Sequence, residues 1–123
     1  MIVLAGRNLA KMEAAKAELD ELGVESHLCK TDIADRAQVQ ALAEFAASLG
    51  DVTQVIHTSG VSPSDTATEN IIKINAVGTV KMVEAFYPVL AEGGVMINFS
   101  SVAAYTMPQT DEWTQAFEIW DRP

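Results

Sequence analysis

Four short apolar runs, separated by stretches of helical periodicity, constrain this chain more than any other feature. Ile2 to Ala5 is continuous, β-branched and without alternation, as a strand buried on both faces requires. Val24 to Lys30, interrupted by Glu25, Ser26 and His27, is a second run, and Val52 to His57 and Val95 to Phe99 are the third and fourth. Between the first two, Asn8 can cap a helix with Leu9, Met12, Ala15, Leu19 and Leu22 on one face and Gly23 as its stop. Asp35 can cap another, with Val39, Leu42, Phe45, Ala46 and Leu49 as its apolar stripe and Gly50 as terminator. A long helix carrying Ile71, Ile74, Val77, Val83, Phe86 and Leu90 follows and is expected to end at Gly93-Gly94. Gly78 lies inside it at a cost of about 1 kcal/mol relative to Ala, which predicts a close contact there. Strands alternating with helices of this length call for an α/β fold, a doubly wound parallel sheet joined by right-handed crossovers.

Length and charge narrow the class. At 123 residues, 49% hydrophobic and 20% charged, the chain is too apolar for disorder and long enough for one core, so residues 1–123 are read as a single domain. A net charge of -9, with no Lys/Arg cluster along the sequence to offset it, argues against nucleic acid and anionic membrane as partners. No run approaches the roughly 20 apolar residues of a membrane span, and the lone Cys29 suits a reducing compartment, so a cytoplasmic location is expected. No Cys/His/carboxylate spacing implies a metal. In the tail over 109–123, Trp113, Phe117 and Trp120 suit one short amphipathic helix.

In a doubly wound sheet the functional atoms gather at the C-terminal ends of the strands. Those ends here are Gly6-Arg7, Thr31-Asp32, His57 to Gly60, and Ser100-Ser101. Read without further context, Arg7 is a solvated arginine, Asp32 a helix-start carboxylate, Asn75 a satisfied polar residue and Ser101 a strand-to-loop hydroxyl. The order and spacing of five motifs add to this. Ile2 to Asn8, Thr31-Asp32-Ile33, Val55 to Val61, Asn75-Ala76-Val77-Gly78 and Ile97 to Ser101 together resemble the short-chain dehydrogenases/reductases over residues 1 to about 108.

The resemblance implies a truncated Rossmann-like fold and hydride transfer between NAD(P)H and a small carbonyl or alcohol. It places Arg7 at the adenosine ribose. Gly6 stands where NAD-preferring members carry a carboxylate, which favours NADP because a guanidinium can hold a 2′-phosphate. It assigns Asp32 to the adenine amino group and Ile33 to the face of the ring. Thr58, Ser59 and Gly60 take the place of the family's Asn-Ala-Gly turn beside the cofactor, with Thr58 departing from the usual Asn. Asn75 matches the catalytic asparagine that holds a water of the proton relay, and Ser101 the serine that hydrogen-bonds the substrate oxygen.

Two departures limit what the resemblance implies. Tyr105 is followed four residues later by Gln109, so the family's Tyr-x-x-x-Lys pair, which lowers the phenol pKa, is not present. The family's glycine-rich strand, turn and helix, which cradle the pyrophosphate, are not present either; the Ile2 run matches the family's second strand. Taking the first strand from an order 3-2-1-4-5 leaves a gap about 9 to 10 Å wide, two interstrand spacings. The gap can close, another chain can fill it, or the product folds poorly; closure, with order 2-1-3-4, is the expected monomer. The leading reading is an interior piece of an NADP-dependent short-chain reductase, inactive alone and with at best weak adenosine binding through Arg7 and Asp32. The alternative is a non-catalytic α/β module that associates with a full-length relative through exposed strand edges, which also offer a route to oligomers. A receiver-like domain is set aside because its acidic pair and acceptor Asp are replaced by Gly6-Arg7 and His57-Thr58. Hydrolysis by Ser101, His57 and Asp32 is disfavoured because no G-x-S-x-G elbow surrounds Ser101.

Overall fold

A computed structural model of the chain describes residues 1–62, 64, 66–102 and 106. The element order is β1 (Ile2–Gly6), α1 (Leu9–Glu21), β2 (Ser26–Lys30), α2 (Arg36–Leu49), β3 (Val52–His57), α3 (Thr68–Ile71), a π-helical segment (Ile72–Gly78), α4 (Thr79–Phe86), a 3-10 turn (Tyr87–Val89) and β4 (Leu90–Asn98). The expected tail helix and Tyr105 lie outside the described residues. Both expected caps form: Asn8 Oδ1 accepts from the Lys11 amide at 3.1 Å, and Asp35 Oδ1 accepts from Ala37 at 2.9 Å and Gln38 at 3.2 Å. These bonds satisfy amides that the first helical turn leaves without carbonyl partners. Among the described residues no helix is long and apolar enough to cross a membrane.

The strands are parallel within two separate pairs, β1 with β2 and β3 with β4. The gap has not closed, so the expected order 2-1-3-4 is corrected to two half-sheets facing a slot. The slot has a volume of about 500 Å³, and Leu42 and Ala46 of α2 with Met82 and Phe86 of α4 form its floor. Packing explains why it stays open. Val3 of β1 and Cys29 of β2 already rest on the cluster of Val39, Leu42, Ala43, Val55 and Phe86. Closure would slide the β1–β2 pair about 4.8 Å across α2 and pull both side chains off that cluster.

Two other boundaries differ from expectation. Helix α4 gives way at Phe86 rather than at Gly93-Gly94, because Pro88 has no amide hydrogen to continue the ladder and sits in the closing 3-10 turn. β4 therefore starts at Leu90 and carries a bulge: while β3 advances from Val52 to Gln54, β4 advances from Leu90 to Val95. Gly93 turns that bulge at φ +75°, a conformation that disfavours a side chain. The close contact expected at Gly78 is present. A Cβ there would lie 2.9 Å from Ile33 Cδ1 and 3.4 Å from the Ile33 carbonyl oxygen.

The core occupies one face of β3–β4. Val39, Leu42 and Ala43 of α2 pack with Met82, Ala85 and Phe86 of α4 against Val52 and Val55. On the other face, Ile56 (59% exposed), Val95 (51%) and Ile97 (46%) are bare. Helix α1 lies against β1 and β2 and buries only Met12, leaving Leu9 and Leu22 of its expected stripe exposed.

Candidate functional site

The carboxyl ends of the four strands form a rim divided by the slot. On the β1–β2 side, Gly6 pairs in register with Lys30, and α1 begins two residues after Arg7. Register and helix start together bring Arg7, Lys11 and Lys30 around one shallow hollow, with Asn8 and Leu9 between them. None of the three cations has a carboxylate partner among the described residues. This corrects the expectation that no basic cluster offsets the negative charge. Lys11 and Lys30 escaped the sequence reading because 19 positions of chain separate them. The four-residue step from Arg7 to Lys11 and the place of Lys30 at a strand end were the signals available.

Asp32 follows Thr31, a buried residue whose amide donates to the Gly6 carbonyl at 3.0 Å and so continues the β1–β2 ladder. Asp32 Oδ1 accepts from the Ala34 amide at 2.9 Å, and the Asp32 amide donates to Gln38 Oε1 at 2.9 Å. One carboxylate oxygen thus fixes the turn into α2, and the other has no protein partner among the described residues. Ile33 is buried in the core cluster and fills the space over Gly78, so the bulk of its side chain serves packing.

On the β3–β4 side, Thr58 and Ser59 line the slot where β3 ends. The Phe99 amide donates to the His57 carbonyl at 3.2 Å, so Ser100 and Ser101 leave β4 alongside Thr58. Ser101 is exposed. Asn75 sits within the π segment, and its side chain clamps the loop after Gly60. Oδ1 accepts from the Val61 amide at 2.9 Å while Nδ2 donates to the Val61 carbonyl at 2.9 Å. The side-chain amide is therefore committed to one backbone unit, in the manner of an added strand residue.

Sequence reasoning missed the chain of bonds behind Asn75. Thr79 Oγ1 donates to the Asn75 carbonyl at 2.7 Å, and His57 Nε2 lies 3.1 Å from the same hydroxyl. Because the hydroxyl proton is directed to Asn75, its oxygen must accept, and His57 carries its proton on Nε2. Burial holds the His57 pKa below its ordinary value, keeping the imidazole neutral. The signal lay in the sequence as His57 at a strand end and Thr79 four residues beyond Asn75, but nothing local connects them. The structure thus brings together Asn75, Gly60 and Val61 on one side and Arg7, Lys11 and Lys30 on the other, with the slot between.

The family model for short chain dehydrogenase matches residues 1–112. The chain belongs to that family. A segment of 78 residues, 63% of this chain, is 35% identical to the short-chain dehydrogenase/reductase bsc3 of Alternaria brassicicola and covers 28% of that protein. A short-chain dehydrogenase/reductase from Burkholderia phymatum, solved in complex with NAD, superposes with a TM-score of 0.75 at 23% identity, covering 94% of this chain and 46% of that one. A short chain dehydrogenase from Burkholderia cenocepacia J2315, solved in complex with NADP, gives 0.74 at 18% identity, covering 96% of this chain and 54% of that one. This family member therefore spans about half the length of the solved relatives, and its half-sheets follow the Rossmann-type arrangement of those structures.

Fit to a nicotinamide dinucleotide differs between the two ends of such a molecule. The hollow of Arg7, Lys11 and Lys30 has the charge and donor set that a phosphate monoester requires. The 123 residues contain no G-x-G-x-x-G turn, the element that meets the pyrophosphate in dinucleotide-binding folds.

Proposed function

We propose that this short-chain dehydrogenase chain is an interior part of an NADP-dependent reductase acting on a small carbonyl or alcohol, and that it transfers no hydride by itself. The observation that carries the cofactor choice is the hollow of three cations without carboxylate partners beside Gly6. In this reading Arg7, Lys11 and Lys30 hold the 2′-phosphate. The free oxygen of Asp32 accepts from the adenine amino group, and the exposed remainder of the Ile33 position meets the ring edge. Thr58, Ser59 and Gly60 border the nicotinamide side. The cofactor, when bound, supplies the hydride.

The chain's own residues act on position and proton. Ser101 hydrogen-bonds the substrate oxygen. The Asn75 side chain pins the Val61 backbone, and in this reading a relay water is held at the Asn75 main-chain carbonyl, which keeps a lone pair beyond the one Thr79 uses. What supports inactivity of these 123 residues by themselves is that they contain no Tyr-x-x-x-Lys pair to give up the proton. Residues 1–123 are read as one partial domain with a divergent tail over 109–123, and the free Cys29 suits a cytoplasmic setting.

Calorimetric titration with adenosine 2′,5′-bisphosphate and with 5′-AMP tests the reading. The bisphosphate should bind at least about tenfold more tightly, with an advantage that shrinks in salt and is lost in Arg7→Ala. Equal affinity for the two nucleotides would overturn the NADP assignment. Turnover of carbonyl substrates with NADPH at rates on the order of 1 per second or more would overturn the inactivity.

A further inference from the structure

Gly78, the last residue of the π-helical segment, and Lys81 and Glu84 of α4 meet the start of α2 in order. Gly78 leaves room for Ile33, whose Cδ1 lies 2.9 Å from where a Cβ on that glycine would stand. Lys81 Nζ donates to the Ala34 carbonyl at 2.6 Å, and Glu84 Oε2 accepts from Arg36 Nη1. Residues three apart are neighbours on a helix surface, so one side of this helix addresses residues 33, 34 and 36 in turn.

The middle contact falls on the turn that carries Asp32. Asp32 Oδ1 accepts from the Ala34 amide at 2.9 Å, so the setting of the carboxylate depends on how the backbone at Ala34 is held. That bond fixes the amide side of Ala34. The carbonyl side is not fixed by α2, whose ladder begins one residue later with the Val39 amide donating to the Asp35 carbonyl at 3.1 Å. The Gln38 amide, four residues on from Ala34, donates instead to Asp35 Oδ1 at 3.2 Å. Lys81 supplies the donor from 47 positions away, in a partly buried bond where a charged donor is strong.

We propose that Lys81 is a positioning residue for adenine recognition: by holding the Ala34 carbonyl it keeps the second carboxylate oxygen of Asp32 available to the adenine amino group. This rests on the assignment of Asp32 to adenine proposed above. Lys81 itself touches neither base nor phosphate and acts through the turn from Asp32 to Ala34. The three cations of the hollow belong to other elements, Arg7 after β1, Lys11 on α1 and Lys30 at the end of β2. Losing the Lys81 donor should therefore cost discrimination between bases and leave discrimination between phosphates alone.

Calorimetric titration of the full chain with adenosine 2′,5′-bisphosphate, its inosine counterpart and 5′-AMP tests this. Hypoxanthine carries a carbonyl where adenine carries the amino group, so it sets an acceptor against the Asp32 carboxylate. The unaltered chain should prefer the adenosine bisphosphate over the inosine compound by at least about tenfold. Lys81→Met keeps the length of the side chain and removes the donor. In it the base preference should fall to about twofold or less, while the preference for the bisphosphate over 5′-AMP stays within about twofold of its original value. A base preference that survives in Lys81→Met would overturn the role of Lys81 and leave the Asp32 assignment standing. Loss of both preferences together would also overturn it, since a general loosening of the fold does the same. Equal binding of the adenosine and inosine compounds by the unaltered chain, or no binding of either, would remove the Asp32 assignment and this proposal with it.

Should Lys81→Met fail to fold by circular dichroism, the unaltered chain still decides. Coupling is reciprocal, so a nucleotide favoured by the Lys81 bond must strengthen that bond. Exchange of the Lys81 ammonium hydrogens with water, followed by heteronuclear NMR, should slow at least about threefold on saturation with the adenosine bisphosphate. Unchanged exchange would overturn the proposal.

Discussion

The two half-sheets are built alike and held differently. β3–β4 has α2 and α4 on one face and contributes Val52 and Val55 to the core, while β1–β2 with α1 buries one apolar side chain, Met12, and only rests Val3 and Cys29 against the cluster. The three cations proposed to hold the 2′-phosphate sit on the weakly held half, and the residues that resemble the catalytic ones sit on the strongly held half. Binding across the slot would therefore depend on a joint that has little buried surface of its own. A middle strand normally supplies that joint, because it bonds to both halves and carries apolar side chains into the layers above and below.

Core truncation is the strongest way to break this comparison. Phe86→Ala should cost about 3–5 kcal/mol and Met12→Ala about 2 kcal/mol, measured by urea denaturation. Equal costs would mean that the halves are equally held. Next in size is the seam between α4 and the start of α2. Gly78→Ala forces a methyl against Ile33 and should cost about 1–3 kcal/mol, with part recovered in the double variant Gly78→Ala/Ile33→Val. No recovery would show that the Ile33 carbonyl, and not its side chain, sets the limit. On the weakly held half, Asn8→Ala should cost about 1 kcal/mol through the lost cap of α1, again by denaturation.

The smallest expected effects are in pH, and both belong to the strongly held half, at His57 in β3 and at the Asp35 cap of α2. The native His57 pKa lies below 6.5, so the unfolded chain takes up the proton first. Stability from this group is complete above pH 6.5 and is lost as the pH falls from there toward the native value. Asp35 is held below 3.8 chiefly by the Gln38 amide, so its contribution is present above pH 3.8 and disappears as the pH falls through the lowered native value. Denaturation curves between pH 7 and pH 5 should lose their slope in His57→Gln and keep it in Asp35→Asn.

Much of this was legible in residues 1–99. The caps at Asn8 and Asp35, the stripe of α2 and the tight approach at Gly78 are short-range consequences of side-chain chemistry and period, and the five ordered motifs marked the family. The end of α4 was misplaced because two glycines drew attention from Pro88, which acts five residues earlier by withholding a donor. The joining of Arg7 to Lys30 and of His57 to Thr79 could not be read, since each depends on how distant elements register.

By itself the sequence determined the order of strands and helices, because apolar period, caps and breakers act within a few residues of one another. It also determined the chemistry available at each strand end. Only the tertiary structure decided that the sheet stands as two pairs around an open slot, that three cations share one hollow, and that Ile33 belongs to the core. Those outcomes rest on side-chain packing across α2 and α4, a long-range term in which moving one strand by a single interstrand spacing displaces contacts from the whole cluster.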